Sequence, residues 1–371
     1  MAAATESILV RGVNWLGDAV MTTPALQRLF EARSGACITL LSPEKLADLW
    51  RGHPGIDELM TIRPGESLWS VARRIRAKAF DTAVVFPNSP RSALEAFLGR
   101  IPRRVGFARP WRSFFLTEAV PPRPGAVPMR KRSRAEIEAR VACHTPRETF
   151  PPSAHHVHDY LFLVSRLGGN PAPVTPFLHV SDEEVASVRA RFQIGREMPQ
   201  FALNAGAEYG PAKRWPIDRF VEVAVRLHQR MHCRWLVIGG SSDRDLAAQV
   251  ASQFEARVGA GVMRNVAGET TLRELCATMK ACSLLLTNDT GPMHLAAAVG
   301  TPVVVPFGST APELTGPAFT AGSAHALVLG SVSCAPCFLR ECPIDFRCMK
   351  TITAEQILAA AERAWRVSGV E

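Results

Sequence analysis

A chain of 371 residues, 47% hydrophobic and 21% charged, is too long for one ordinary core and suits two domains of a well-packed soluble protein. Its formal net charge of +9 favours anionic partners such as phosphorylated ligands, nucleic acid or an acidic membrane surface. No window approaches the eighteen apolar residues of a membrane span, and the first seven residues carry neither basic groups nor a long apolar run. A transmembrane anchor and a secretory leader are therefore both unexpected, and the cytoplasm is the expected compartment.

Residues 8–10 read as a first strand, which runs into the polar break Arg11-Gly12-Val13-Asn14-Trp15-Leu16-Gly17-Asp18. A helix is predicted over 18–33, with Pro24 either kinking it or marking its true first turn. A strand at 36–41 and a short helix at 44–51 follow. The apolar run 82–86 is predicted as a central strand, then come a helix at 89–98 and a short strand at 104–107. Residues 117–152 show little periodic pattern. The amphipathic stretch 155–167 offers Tyr160, Leu161, Val164 and Leu167 to a core.

The Gly- and Pro-rich run 168–176 is the expected domain boundary. Ser181 with Glu184 three residues on makes a capping box for a helix to about Phe192. Strands are then predicted at 201–204, 235–238, 284–286 and 303–305. Helices are predicted at 217–230, 243–258, 271–279, 292–299 and 355–367. This alternation predicts an α/β chain of two Rossmann-like domains, 1–175 and 176–350, with 351–371 as a terminal helix packing back on the first domain.

Ligands in such folds gather at the carboxyl ends of strands, where helices begin. The break at 11–18 and a second one, Thr287-Asn288-Asp289-Thr290-Gly291-Pro292-Met293-His294, therefore predict a cleft between two domains and an enzyme joining two substrates. Gly12 and Gly17 are five apart, which is not the G-x-G-x-x-G spacing of a dinucleotide site and argues against a dehydrogenase. Asp18 is either an N-terminal cap, worth about 1 kcal/mol, or a general base for a hydroxyl. In the segment 204–216, small residues leave room for a ligand while Lys213 and Arg214 can neutralise phosphate. Gly239-Gly240-Ser241-Ser242-Asp243 either admits a base or ribose or is a plain tight turn. At 289–294, backbone N–H groups and the Thr290 hydroxyl form a diphosphate cradle with His294 on the following turn. Asp289 either binds ligand hydroxyls or holds its own loop.

Residues 100–134 carry ten basic groups against one acid, Glu118. They form either a solvated loop or an anion-facing segment, with Phe107, Trp111, Phe114 and Phe115 resting on lipid or sugar. Neither a recognition helix nor stacking aromatics on a sheet are evident, so nucleic acid is not an expected partner. Cys334, Cys337, Cys342 and Cys348 are spaced C-x₂-C-x₄-C-x₅-C. They are either reduced structural thiols in a compact loop or, less in keeping with the tight later spacings and the lack of a nearby histidine, ligands of a structural zinc.

Taken together, Gly17-Asp18, Gly210-Pro211-Ala212-Lys213-Arg214-Trp215-Pro216, the run from Asn288 to Ala298, and Arg340-Glu341-Cys342-Pro343 resemble the ADP-heptose:lipopolysaccharide heptosyltransferases. Within that family the resemblance is greatest to the enzymes adding the second heptose. It implies a GT-B fold with an N-terminal acceptor domain and a C-terminal ADP-heptose domain. It also implies inverting transfer of L-glycero-D-manno-heptose from ADP-heptose to heptosyl-Kdo₂-lipid A, with no catalytic metal or other cofactor. By the same resemblance Asp18 is the base and Lys213 neutralises the departing diphosphate. Asn14, Gly17, Arg214, Gly240, Ser241, Asp289, Thr290, Gly291 and His294 surround the donor. Arg104, Arg109 and Arg112 meet the acidic acceptor at the cytoplasmic face of a Gram-negative inner membrane. First- or third-heptose enzymes, with other acceptors, and a non-catalytic lipopolysaccharide-binding protein are the competing expectations.

Overall fold

The computed structural model describes residues 6–317 and 324–367. Residues 1–5, which carry most of the stretch read for a leader, lie outside the described residues. Two compact units emerge.

The first unit holds the strands β1 (Ser7–Arg11), β2 (Cys37–Pro43), β3 (Glu58–Ile62), β4 (Thr82–Val85), β5 (Arg103–Phe107) and β6 (Glu118–Val120). All pair in parallel, in the order β3-β2-β1-β4-β5-β6. Its helices are α1 (Leu16–Met21), α2 (Thr23–Ala32), α3 (Leu68–Lys78) and α4 (Pro90–Leu98). Pro24 sits in the first turn of α2, and the predicted single helix breaks at Thr22. That is the second of the two alternatives for Pro24, since a proline N–H is not needed there. Leu9, Leu41, Ala83 and Val85 from the sheet close a core against Val71, Ile75, Ala93 and Ala96.

A segment from Val127 to Pro152 follows in sequence and carries α5 (Arg134–Ala142). The chain then returns to the first unit with α6 (Val157–Ser165). The second unit continues with α7 (Asp182–Phe192), β7 (Gln200–Asn204), α8 (Ile217–Met231), β8 (Arg234–Val237), α9 (Arg244–Val258) and β9 (Met263–Asn265). After these come α10 (Leu272–Ala281), β10 (Leu284–Thr287), α11 (Gly291–Ala298), β11 (Val303–Phe307), α12 (Pro312–Thr315) and β12 (Ala326–Leu329). The last two helices are α13 (Arg347–Lys350) and α14 (Ala354–Val367). Its sheet is also parallel, ordered β12-β11-β10-β7-β8-β9. The Ser181–Glu184 capping box forms as predicted.

Both sheets repeat one topology, the doubly wound Rossmann order, so each has a switch point where the winding reverses. In the first unit it lies between β1 and β4; in the second, between β7 and β10. The two polar breaks singled out in the sequence directly follow β1 and β10.

Two predicted boundaries need correction. The segment Val127–Pro152 belongs to the second unit, not to a domain spanning 1–175. Its arginines hydrogen-bond there: Arg132 Nη1 donates to Cys334 O at 3.0 Å and Arg140 Nε to Ser333 O at 2.9 Å. Ile137 packs with Cys334 and Cys337. The terminal helix α14 likewise belongs to the second unit, not to a packing layer of the first. Ile357, Leu358, Ala360 and Ala361 share the second unit's core with Phe201, Leu203 and Trp235, and Trp365 meets the Phe201 ring edge-on at 5.3 Å.

Candidate active site

Adjacent parallel strands β7 and β10 end together, with Asn204 opposite Thr287. The loops that follow are therefore neighbours, and Asn288 ties them. Its buried amide donates to Ala205 O at 2.8 Å and to Gly206 O at 3.3 Å, while its Oδ1 accepts the Trp215 N–H at 2.9 Å. Trp215 is fully buried and donates its indole N–H to Ile352 O at 3.0 Å. Gly210, at φ 154°, lets the loop lie against Arg340: a Cβ there would meet Arg340 O at 2.5 Å, and Ala212 N–H donates to that same oxygen at 2.9 Å.

This anchoring delivers Lys213 to Asp289. Lys213 Nζ lies 2.7 Å from Asp289 Oδ2, with the two side chains 15% and 4% exposed. The Thr310 hydroxyl, from the loop after β11, donates to the same Oδ2 at 2.6 Å. Burial works against the Asp289 charge, yet the Lys213 ammonium and the two hydrogen bonds hold its carboxyl below the ordinary aspartate range. Buried His294 on α11 is pushed down to about 4, chiefly by burial and further by Lys213, against the pull of Asp289. It is therefore a neutral imidazole at pH 7. Lys213 also lies 5.0 Å from the centroid of the Tyr209 ring, whose hydroxyl donates to Phe338 O at 2.8 Å.

Thr290 is the N-cap of α11, and its side chain makes no capping bond. Half-buried Thr290 and Gly291 thus begin a helix whose first N–H groups point out of the carboxyl end of the sheet. In the Gly239–Asp243 stretch, Asp243 Oδ2 accepts the Gly240 N–H at 3.0 Å. Gly240 and Ser241 stay exposed. Exposed Arg214 lines a cavity of about 400 Å³ walled by Ala205, Pro211, Trp215, Leu246 and Phe346.

In the first unit Asp18 is not the N-cap of α1. That position is Trp15, and Asp18 lies half-buried in the first turn, where a carboxylate suits the helix dipole. Burial, with the charges of Asp18 and Asp159, pushes the Tyr160 phenol well above its usual range. Gly17 is half-buried beside Asp18, and Asn14 is exposed, with its Oδ1 3.4 Å from Arg11 Nη1. Arg11 itself forms a buried pair with Glu95 at 2.8 Å.

The basic stretch 100–134 divides between the units, and five of its ten basic groups form ion pairs. Arg103 pairs with Glu118, Arg123 with Asp159, Arg130 with Glu136, Arg132 with Glu148 and Arg134 with Glu138. Arg104 gives its donors to the carbonyls of Phe115, Ile101 and Pro102. Arg109 is exposed. Arg112 is fully buried; its Nη1 donates to Asn88 Oδ1 at 3.1 Å, while its Nε and Nη2 have no partner. Burial, with Arg109 nearby, brings its guanidinium down to about 10.

All nine cysteines are free thiols, and the described residues hold no group of three or more His, Cys, Asp or Glu arranged to take a metal ion. Cys334 and Cys337 pack with Ile137, Cys348 joins the main core, and Cys342 Sγ accepts the Phe346 N–H at 3.3 Å. Burial pushes the Cys348 thiol up to about 12, so it stays protonated. Among the described residues no helix is long and apolar enough to cross a membrane.

Asn288, Thr310 and Tyr209 were not among the predicted site residues. Thr310 had a readable signal: it ends Gly308-Ser309-Thr310, another polar break after a buried strand.

Comparison with known proteins agrees with this architecture. The model of glycosyltransferase family 9 (heptosyltransferase) matches residues 127–346. Lipopolysaccharide heptosyltransferase 2 of Escherichia coli is 30% identical over 324 residues, covering 84% of this chain and 85% of the relative. The Salmonella typhimurium protein of that name is 29% identical with the same coverage. Among solved structures, the ADP-heptose lipopolysaccharide heptosyltransferase II of E. coli superposes with a TM-score of 0.75 at 25% identity. That match covers 97% of this chain and 98% of the other. A glycosyltransferase family 9 protein from Veillonella parvula shares the fold at a TM-score of 0.77 and 24% identity, with 99% of each chain covered. With two doubly wound parallel sheets of the GT-B type and these matches, the chain belongs to glycosyltransferase family 9, the heptosyltransferases.

Proposed function

We propose that this chain transfers L-glycero-D-manno-heptose from ADP-heptose to heptosyl-Kdo₂-lipid A, with inversion and without a catalytic metal. The observation that carries the reading is the buried Lys213–Asp289 pair at the switch point of the second sheet. A nucleotide-sugar transferase must stabilise a diphosphate leaving group, and a fixed ammonium beside a helix N-terminus supplies positive charge without a metal ion. Lys213 meets the diphosphate together with the backbone N–H groups of Thr290 and Gly291, and Arg214 adds charge. Asp289 accepts from heptose hydroxyls through Oδ1, its other oxygen being engaged by Lys213 and Thr310. Neutral His294 adds a hydrogen bond without adding charge, and Gly240 with Ser241 receives the ribose.

Asn14 and Gly17 border the donor from the loop after β1. Asp18 removes the proton from the acceptor hydroxyl as that oxygen attacks the anomeric carbon. The carbon–oxygen bond to the diphosphate breaks, ADP departs, and the configuration inverts in one displacement. Exposed Arg109 meets carboxylates or phosphates of the acceptor, whereas Arg112, expected beside it, is fully buried and with Arg104 only braces that loop. In this reading the chain works peripherally at the cytoplasmic face of the inner membrane, where its positive charge favours anionic headgroups.

Mass spectrometry of acceptors incubated with ADP-heptose tests the assignment. One added heptose on heptosyl-Kdo₂-lipid A, with ADP released and full activity in EDTA, is expected. Modification of unheptosylated Kdo₂-lipid A instead would assign a first-heptose enzyme, modification only of longer cores a third-heptose enzyme, and no ADP release would remove the catalytic reading.

A further inference from the structure

Arg147 closes the 127–152 segment and ends against the carboxyl end of the second sheet. Its Nη1 donates to Gly308 O at 3.3 Å and Gly330 O at 3.0 Å, and its Nη2 donates to Thr310 O at 2.7 Å. One guanidinium thus joins the loops after β11 and β12 through three carbonyls. Those loops are tightly seated. A Cβ on Gly330 would lie 2.1 Å from Cys348 O, and one on Gly308 would lie 2.9 Å from Met349 Sδ. Thr310 is the next link, because its hydroxyl donates to the Asp289 oxygen that Lys213 also holds.

We propose that Arg147 is a positioning residue for the donor site. It fixes the Gly308–Thr310 backbone so that the Thr310 hydroxyl meets Asp289 Oδ2, which orients the carboxylate between Lys213 and the incoming sugar. The inference rests on reading Lys213 and Asp289 as that site. The forked guanidinium matters because three carbonyls in two loops need donors in different directions. A lysine ammonium is a single point that cannot keep both loops in register. The segment that follows the first unit in sequence thereby controls chemistry in the second.

A double-mutant cycle on kcat/KM for ADP-heptose tests this, using Arg147→Ala, Thr310→Val and the pair, with ADP affinity measured by calorimetry. Each single change is expected to cost about ten- to hundredfold, as loss of a hydrogen bond to a charged group does. The double variant should be little worse than the poorer single variant, because both break one chain of contacts. Arg147→Lys should fall well short of wild type. Multiplicative single effects, or full rescue by lysine, would overturn the proposal. Should Arg147→Ala fail to fold, Arg147→Lys with Thr310→Val completes the cycle. Lys213→Ala and Asp289→Asn run in parallel: if neither impairs transfer, the donor-site reading itself falls, whereas impaired transfer with a multiplicative cycle removes only Arg147.

Discussion

Replacing Asp289 by asparagine separates charge from shape at the site. The amide keeps an oxygen for the Thr310 hydroxyl but leaves Lys213, only 15% exposed, without its counter-ion. At 2.7 Å and an effective dielectric constant near 20, the pair's attraction is about 6 kcal/mol before desolvation is counted. Removing one partner of a buried pair costs about 3–5 kcal/mol. Lys213 keeps some solvent access, so the expected loss lies near the lower figure. ADP offers the stranded ammonium a new partner, so ADP should raise the melting temperature of Asp289→Asn more than that of wild type. Heptose transfer should nevertheless collapse, because the sugar-facing carboxylate oxygen is gone. Differential scanning fluorimetry with and without ADP, beside a transfer assay, measures all three. A variant as stable as wild type, with the same ADP-induced rise, would refute Asp289 as the counter-ion of Lys213.

Lys213→Ala should weaken ADP binding about ten- to hundredfold, the range for a lost charge-assisted hydrogen bond, and slow turnover as well. Calorimetry showing an unchanged Kd would dismiss the diphosphate contact. Asp18→Asn should abolish transfer while ADP still binds, and near-normal turnover on the authentic acceptor would take the base role from Asp18. His53 supplies a pH prediction. Burial lowers it from 6.5 to about 4, and its Nδ1 accepts the Gly55 N–H at 3.1 Å, which requires the neutral ring. Its pKa is depressed and its neutral form is the native one, so its contribution to stability is present above about pH 6.5. That contribution is lost as pH falls towards 4, and amounts to at most about 3 kcal/mol. His294 and His325 are lowered to about 4 as well and act in the same window. Urea midpoints for wild type and His53→Gln between pH 7 and 4 should therefore converge on acidification without the slope vanishing. Parallel curves would exclude the His53 contribution.

The strands that escaped sequence analysis share one property. β3, β6, β9 and β12 are the four sheet edges, whereas the eight interior strands all carry readable apolar runs. Interior parallel strands are covered on both faces and are mostly apolar along their buried length. An edge strand such as Glu58–Ile62 or Glu118–Val120 is only partly buried, so its sequence is freed from that constraint. Helix α3 was missed for a related reason. Arg73, Arg74, Arg76 and Lys78 crowd its sequence, and only Val71, Ala72 and Ile75 face the core. Within α5, Ile137 alone is buried, too little for a period to show.

The site divides along the same line. Lys213, Asp289 and His294 were legible because a buried parallel strand must give way to a polar turn at its carboxyl end, and that change is local. Their partners were not. Thr310 meets Asp289 across 21 residues, Asn288 reaches Ala205 across 83, and Arg147 spans 161 to 183 residues to Gly308 and Gly330. No periodicity records such pairings, and sequence proximity misdirects: it assigned the 127–152 segment to the unit it follows rather than to the unit whose carbonyls satisfy its arginines. Strand order supplies the missing rule. Once β7 and β10 are known to flank the switch point, the loops after β7, β10 and β11 become neighbours. A polar residue at any of those three ends is then a candidate for the same ligand, whatever its distance along the chain.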